Sequence, residues 1–249
     1  MPQFFIKPEN IINNEILITN LSDINHIVNI LRSKKGDKLI LVGAEHTIYE
    51  TQISLIKSNL IETKIIDKYK SNRKLNANIT LAQSILKAQK QDFVIQKATE
   101  LGVKLIIPFI SGNTVVKINL EKDFIQKLKR WQKIAHESSK QCQRANIPEI
   151  NSIISIKELV ELNGFDVKLA CVERNAQLSI KSFLVENKQF QGMIPKILVV
   201  TGPEGGWKDE ELELLKEKGF ALVSLGNLIL RAETAATAAI ANIIYEYEL

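Results

Sequence analysis

Apolar positions follow two rhythms along this chain, with the change near residue 75. Before it, short runs suit strands: KLILV at 38–42 is continuously apolar after the turn Lys35-Gly36-Asp37, HTIYETQISLI at 46–56 alternates, and LIETKIID at 60–67 is rich in β-branched residues. HIVNILR at 26–32 has helical spacing, with Ile27, Ile30 and Leu31 on one face and Ser22-Asp23 as its caps. Lys68 to Lys74 is polar and aperiodic. It predicts a linker between a β-rich module over 1–70 and a second domain over 75–249.

Beyond it, strands and helices alternate. NITLAQSI (78–85), LIIPFI (105–110), VKLACV (167–172), KILVVTG (196–202) and ALVSLG (221–226) read as buried strands. Between them lie helices over Lys90–Leu101, Leu120–Cys142 and 209–219, and a last one over Arg231–Tyr247. On the first helix, Phe93, Val94, Lys97, Ala98 and Leu101 share a face, and Gly102 stops it. Apolar strands alternating with helices predict an α/β domain with a mostly parallel sheet covered on both sides.

Composition narrows the class. The 249 residues are 45% hydrophobic and 24% charged, too apolar for a disordered chain. Cys142 and Cys171 are the only cysteines and neither lies in a CxxC, so neither a disulfide framework nor a cysteine zinc site is expected, and no metal site is. The opening MPQFFIKPEN lacks the apolar core of a secretory signal, and no apolar run is long enough to span a bilayer, so no membrane partner and a cytoplasmic location are expected. The net charge of +5 is uneven: +3 over 1–74, +6 over 75–150 and −4 over 151–249. The densest basic stretch runs from Lys117 to Arg144 through Lys122, Lys127, Lys129, Arg130, Lys133 and Lys140, and a polyanion would be drawn to it. Trp131 in that stretch has the spacing of a core residue.

Two loops carry the candidate chemistry. Thr201-Gly202-Pro203-Glu204-Gly205-Gly206-Trp207 follows a strand and precedes a helix, the place where open α/β sheets bind ligands. Neither GxxxxGK[ST] nor GxGxxG is present, and Glu204, Asp209, Glu210 and Glu211 make a poor setting for phosphate, so a neutral or cationic ligand suits the loop better. A second loop, Ser224 to Ala235, also joins a strand to a helix, and its Arg231 and Glu233 flank that helix's start.

With both loops in view, the sequence resembles the SPOUT class of RNA methyltransferases and, within it, the RsmE family, which methylates N3 of a uridine in 16S ribosomal RNA of the small ribosomal subunit. GPEGG at 202–206 and LG…LRAETA at 225–235 carry the resemblance, backed by HIVNILR at 26–32, DFVIQKATELGV at 92–103 and RWQKIAHESSKQCQR at 130–144. It implies a PUA-like β-barrel that contacts RNA, a SPOUT-type α/β domain with a deep trefoil knot, S-adenosylmethionine as methyl donor, and a homodimer. By motif position it places the cofactor against Thr201, Gly202, Pro203, Glu204, Gly205, Gly206, Leu225, Gly226, Asn227, Leu230, Thr234 and Ala235. Arg231 would stabilise the uracil anion or orient the base, and Glu233 would accept a hydrogen bond or fix Arg231. RNA contact is expected from His26, Arg32, Lys129, Arg130, Lys133 and Arg144. The rival readings are a SPOUT methyltransferase acting on another RNA, such as transfer RNA, and a non-catalytic ribosomal RNA-binding assembly factor. Three arginines frequent in the family are missing: Gln3 precedes the Phe4-Phe5 pair, Ser111-Gly112-Asn113 stands for Ser-Glu-Arg, and Leu228 stands two residues after the second loop's glycine. Ala232 stands where threonine is frequent.

Overall fold

A computed structural model describes residues 3–73, 77–116, 123–187 and 194–248. Lys74 of the expected linker, Leu120 at the expected helix start, and Lys117 and Lys122 of the basic stretch lie outside them. The chain divides into two compact units, one built from residues 1–74 with 139–146, the other from 75–138 with 147–249. The short segment 139–146, at and beyond the end of the long basic helix, thus joins the first unit.

The first unit is a six-stranded mixed sheet of β1 (Gln3–Phe5), β2 (Ile11–Ile12), β3 (Glu15–Ile18), β4 (Lys38–Val42), β5 (Thr47–Lys57) and β6 (Leu60–Lys70), in the order β1-β4-β5-β6-β3-β2. Only β1 and β4 pair in parallel. The continuous apolar run of β4 has a physical reason: Leu39 and Leu41 enter one core with Phe4, Ile16 and Ile61, while Val42 packs on the other side with Ile48 and Ala145. β6 extends through Lys68–Lys70, which pair with Thr47–Tyr49 instead of forming a linker. Both faces of that extension are exposed, so no period-2 pattern marks it, and the backbone ladder alone continues the hairpin.

The helix after β3 also departs from expectation. α1 (Leu21–Asn25) is capped by Asn20, whose Oδ1 accepts from the amides of Ser22 and Asp23, and not by Ser22-Asp23. A π-type turn over His26–Ile30 follows. Its wider repeat shifts the apolar face: Ile24 and Ile27 are buried, whereas Ile30 is 66% exposed. Gln3 lies buried, with its amide donating to the carbonyls of Ser139 and Arg144. The first family arginine position therefore holds an internal backbone clamp. Lys140 and Asp23, both deeply buried, form an ion pair at 2.6 Å, with the ammonium 5.3 Å from the Phe4 ring centroid.

The second unit has an eight-stranded sheet. Its elements are β7 (Asn78–Ser84), α2 (Ala88–Glu100), β8 (Leu105–Ile110), α3 (Asp123–Gln141, whose end joins the first unit), β9 (Glu149–Ile150), β10 (Ile154–Ser155), α4 (Ile156–Val160), β11 (Val167–Cys171), β12 (Leu178–Ser179), α5 (Ile180–Glu186), β13 (Lys196–Thr201), α6 (Asp209–Glu217), β14 (Ala221–Ser224) and α7 (Ala232–Glu248). The strand order is β10-β8-β7-β13-β11-β14-β12 with β9 beside β8, and every pairing is parallel. The apolar runs are apolar throughout because both faces are covered. Ile79, Leu81, Ile197 and Val199 face one cluster and Ala82, Leu198 and Val200 the other.

α2 buries Gln91, Val94, Ile95, Ala98 and Thr99, an i, i+3, i+4, i+7, i+8 set, and leaves Phe93 42% exposed. The buried face is thus turned away from the one expected through Phe93 and Lys97: Gln91 Oε1 accepts from the Leu86 amide and the Thr99 hydroxyl donates to the Ile95 carbonyl, while Gln91 Nε2 is buried with no hydrogen-bond partner among the described residues. Trp131 is a core residue. After β14 the chain turns back, and α7 packs across β13 and β7 onto α2 and α5. Strand β13 is inserted between the earlier strands β7 and β11, and the last helix packs across it. Among the described residues no helix is long and apolar enough to cross a membrane.

Candidate active site

The central strands β11, β13 and β14 end side by side, and their carboxyl-end loops meet in one cavity of about 370 Å³. It is lined by residues 171–174, 202–207, 225–232, Lys90 and Ala235. That volume lies in the range of about 300–1,000 Å³ typical of small-molecule sites.

The glycine loop is shaped from beneath. Thr201, buried at the end of β13, donates its hydroxyl to Gln83 Oε1 at 2.6 Å, and Gln83 Nε2 donates to the Gly202 carbonyl at 3.2 Å. A Cβ on Gly202 would come within 2.8 Å of the Trp207 indole, so only glycine lets the loop lie under that ring. Trp207 stacks on Phe109 with centroids 6.1 Å apart, and its Nε1 donates to the Cys171 carbonyl at 2.9 Å. Gly206 has φ +71°, a left-handed conformation that favours glycine, and a Cβ there would strike the Glu173 carboxylate.

The segment after β8, another place where the frequent family residues are missing, supports this loop from the side. Asn113 Nδ2 donates to the Gly205 and Gly206 carbonyls at 3.3 and 3.1 Å, and the Gly112 amide donates to Glu211 Oε1 at 2.7 Å. Ser84, Ser111 and Thr114 join their hydroxyls at 3.0–3.1 Å behind it. Glutamine, asparagine and three hydroxyl residues thereby hold a turn that carries few side chains of its own.

The acidic residues are not a bare negative patch. Glu204 forms an ion pair with Lys90 from the first turn of α2. Glu211 caps its own helix by accepting from the Lys208 amide at 3.1 Å. Residues 208–211 do not line the cavity. On the second loop, Gly226 has φ +133°, and Leu228 and Ile229 are 80% and 75% exposed.

Of the cofactor residues expected from the sequence, residues 202–206, Leu225, Gly226, Asn227, Leu230 and Ala235 line this cavity. Thr201 and Thr234 do not: the first turns into the sheet toward Gln83, and the second is exposed, a helical step away from Ala235. Arg231 lines the cavity and is exposed, while its carbonyl accepts the Ala235 amide at 2.8 Å to start α7. Glu233 neither lines the cavity nor pairs with Arg231, since side chains two apart at a helix start do not face each other. Its Oε2 is buried with no hydrogen-bond partner among the described residues.

Lys90, Glu173 and Arg174 are cavity residues that sequence reasoning missed, and Trp207, the last residue of the candidate glycine loop, lines the cavity beside them. Residues 173–174 follow the strand read as VKLACV, so the strand-end rule could have found them. Lys90 had no local signal.

The residues expected to meet RNA divide between the units. In the first, His26 is half-buried with its ring edge-on to Phe4 at 5.6 Å, and Arg32 is exposed. Arg144 is mostly buried, and burial brings its guanidinium down to about 10, still charged at neutral pH. In the second, Lys129, Arg130 and Lys133 are exposed on α3, and Arg130 pairs with Asp92. Among the described residues no cluster of three or more His, Cys, Asp or Glu is arranged to hold a metal ion.

Burial pushes the Cys171 thiol up to about 12, because the thiolate would sit without solvent. Iodoacetamide at pH 8 is therefore expected to leave Cys171 unlabelled in the native protein and to label it in urea, as read by peptide mass mapping. Labelling at equal rates in both states would contradict its burial.

Comparison with known proteins reaches both units. A family model for an RNA methyltransferase domain matches residues 73–244, and one for an RNA methyltransferase PUA domain matches 18–66. The chain is 36% identical to the ribosomal RNA small subunit methyltransferase E of Mesomycoplasma hyopneumoniae, covering 95% of this chain and 96% of that one. With its counterpart from Bacillus subtilis it shares 31% identity, over 91% of this chain and 89% of the other. A crystal structure of a ribosomal RNA small subunit methyltransferase E from Neisseria gonorrhoeae, bound to S-adenosyl methionine, superposes with a TM-score of 0.84 at 29% identity, covering 98% and 96% of the two chains.

Proposed function

This chain belongs to the family of ribosomal RNA methyltransferases that these relatives represent, and from that premise we propose that it methylates N3 of a uridine in 16S ribosomal RNA, with S-adenosylmethionine as donor. The observation that carries the reading is the meeting of two glycine-bearing strand-end loops around one cavity. The hollow suits the donor: glycine backbone offers amide and carbonyl groups, and Val172, Leu225 and Leu230 offer an apolar wall for an adenine ring. No phosphate-binding motif is present. The backbone of residues 202–206, with Leu225, Gly226, Asn227, Leu230 and Ala235, would hold the donor, which supplies an electrophilic methyl group on a sulfonium.

The protein's own part is positioning and charge. Bringing the two reactants together in line removes much of the entropic barrier. The neutral imide is a poor nucleophile, so a cation where the uracil anion develops lowers the barrier further, and Arg231 at the rim takes that role. The PUA-like module and exposed Lys129 and Lys133 would meet the RNA backbone.

Leu228, Ile229 and Tyr245 leave large apolar surfaces exposed, which favours a homodimer that covers them. The assembled small ribosomal particle and a cytoplasmic setting complete the reading. Its test is to offer intact small ribosomal particles, naked 16S ribosomal RNA and transfer RNA to the protein side by side, and to map modified nucleotides by mass. A new N3-methyluridine in the intact particle alone is expected. Methylation of transfer RNA, or no donor binding by calorimetry, would sink the reading.

A further inference from the structure

The cavity holds one ion pair whose partners come from elements 114 residues apart in sequence: Lys90 on α2 and Glu204 in the glycine loop. Both side chains line the cavity, with Glu204 15% and Lys90 37% exposed. The pair is not the loop's sole anchor, since Gln83, Asn113 and Trp207 hold it as well. An ammonium beside a carboxylate is, however, a donor beside an acceptor. The edge of uracil that carries N3 presents carbonyl, N–H and carbonyl in turn, and is complementary to such a pair. Cytosine presents an unprotonated N3 there, which would set a lone pair against the carboxylate.

We propose that the Lys90–Glu204 pair reads this edge and accepts its proton. This rests on the N3-methylation reading above. When the base enters, the pair exchanges its mutual contact for the base: Lys90 Nζ donates to a uracil carbonyl and a Glu204 carboxylate oxygen accepts the N3–H. The N3–H bond breaks with its proton passing to Glu204, and the N3 electron pair forms the bond to the methyl carbon. The carbon–sulfur bond breaks with its electrons remaining on sulfur, and Glu204 then releases the proton to water. Charge balances: the negative charge leaves Glu204 for the base and is cancelled there as the sulfonium gives up its positive charge with the methyl group, while Lys90 faces it throughout. Glu204 is then a catalytic residue and Lys90 a substrate-binding one, while the glycine backbone around them serves the donor.

The experiment uses the full chain in single-turnover assays on small ribosomal particles reconstituted with uridine or 5-fluorouridine 16S ribosomal RNA. Donor affinity is measured separately by calorimetry. Fluorine acidifies the imide, so a missing proton acceptor matters less on that substrate. Glu204→Gln is expected to slow transfer to uridine by about 10²–10⁴-fold, the usual contribution of a general base. The deficit should shrink at least about tenfold on 5-fluorouridine or at raised pH, with donor affinity little changed. Lys90→Arg should keep most of the rate, and Lys90→Met should lose it. A Glu204→Gln rate close to that of the unaltered protein overturns the proposal, as does an equal deficit on both substrates or a collapse of donor binding. A methyl group found elsewhere than N3 with the unaltered protein brings down the functional reading and this one together.

Discussion

Arg231→Ala is expected to reduce single-turnover methyl transfer by about 10²–10³-fold, the usual loss when one preorganised donor to a developing anion is removed. Donor affinity should stay within about twofold, which calorimetry reads independently of turnover. The asymmetry follows from where Arg231 sits. It is at the exposed rim of the cavity, at the start of α7, whereas the donor would be held by glycine-loop backbone and by Val172, Leu225 and Leu230. No ion pair or hydrogen bond among the described residues engages its guanidinium, so its removal orphans no protein group. The donor's sulfonium is itself cationic and gains nothing from a neighbouring guanidinium, whereas the uracil anion does. Arg231→Lys should recover only part of the rate, because an ammonium cannot offer a planar pair of N–H groups. Unchanged transfer by Arg231→Ala would remove this residue from the mechanism.

The strands around this site could be read from the sequence because their signal is local. KILVVT and VKLAC are buried on both faces and are bounded by turn residues, and GPEGG sits where strand gives way to helix. The features that escaped depend on distant partners or on one extra residue. Lys90 meets Glu204 only through the adjacency of β7 and β13. Lys68–Lys70 form a strand through backbone pairing that exposed side chains do not advertise. A single π-type turn after α1 moved Ile30 to the surface.

The missing family residues are informative in the same way. In the sequence Gln3 and Asn113 register only as places where a frequent arginine is missing. In the fold each donates to backbone carbonyls, Gln3 to Ser139 and Arg144 and Asn113 to Gly205 and Gly206. These positions stabilise segments of their own units. Leu228, by contrast, exposes an apolar side chain at the cavity where an arginine is frequent.

Trp207→Ala is expected to have the largest effect on stability, about 3–5 kcal/mol, as for other buried large aromatics cut to alanine. For a chain of this size that lowers the midpoint of the second unit's thermal transition by roughly 6–20 °C. The indole is 9% exposed and serves three neighbours at once: it stacks on Phe109, covers Gly202, and donates to the carbonyl at the end of β11. It therefore ties the end of β11 to the loop after β13, and its loss should weaken donor binding at least about tenfold, or about 1.4 kcal/mol. Trp207→Phe separates the two contributions. It keeps most of the packing and loses one hydrogen bond, for a cost of about 1 kcal/mol and a smaller loss of affinity. Calorimetric unfolding and donor titration on both variants check this. If Trp207→Ala lost stability yet bound donor normally, the glycine loop would owe its shape to Gln83 and Asn113 alone, and the indole would be only a core residue.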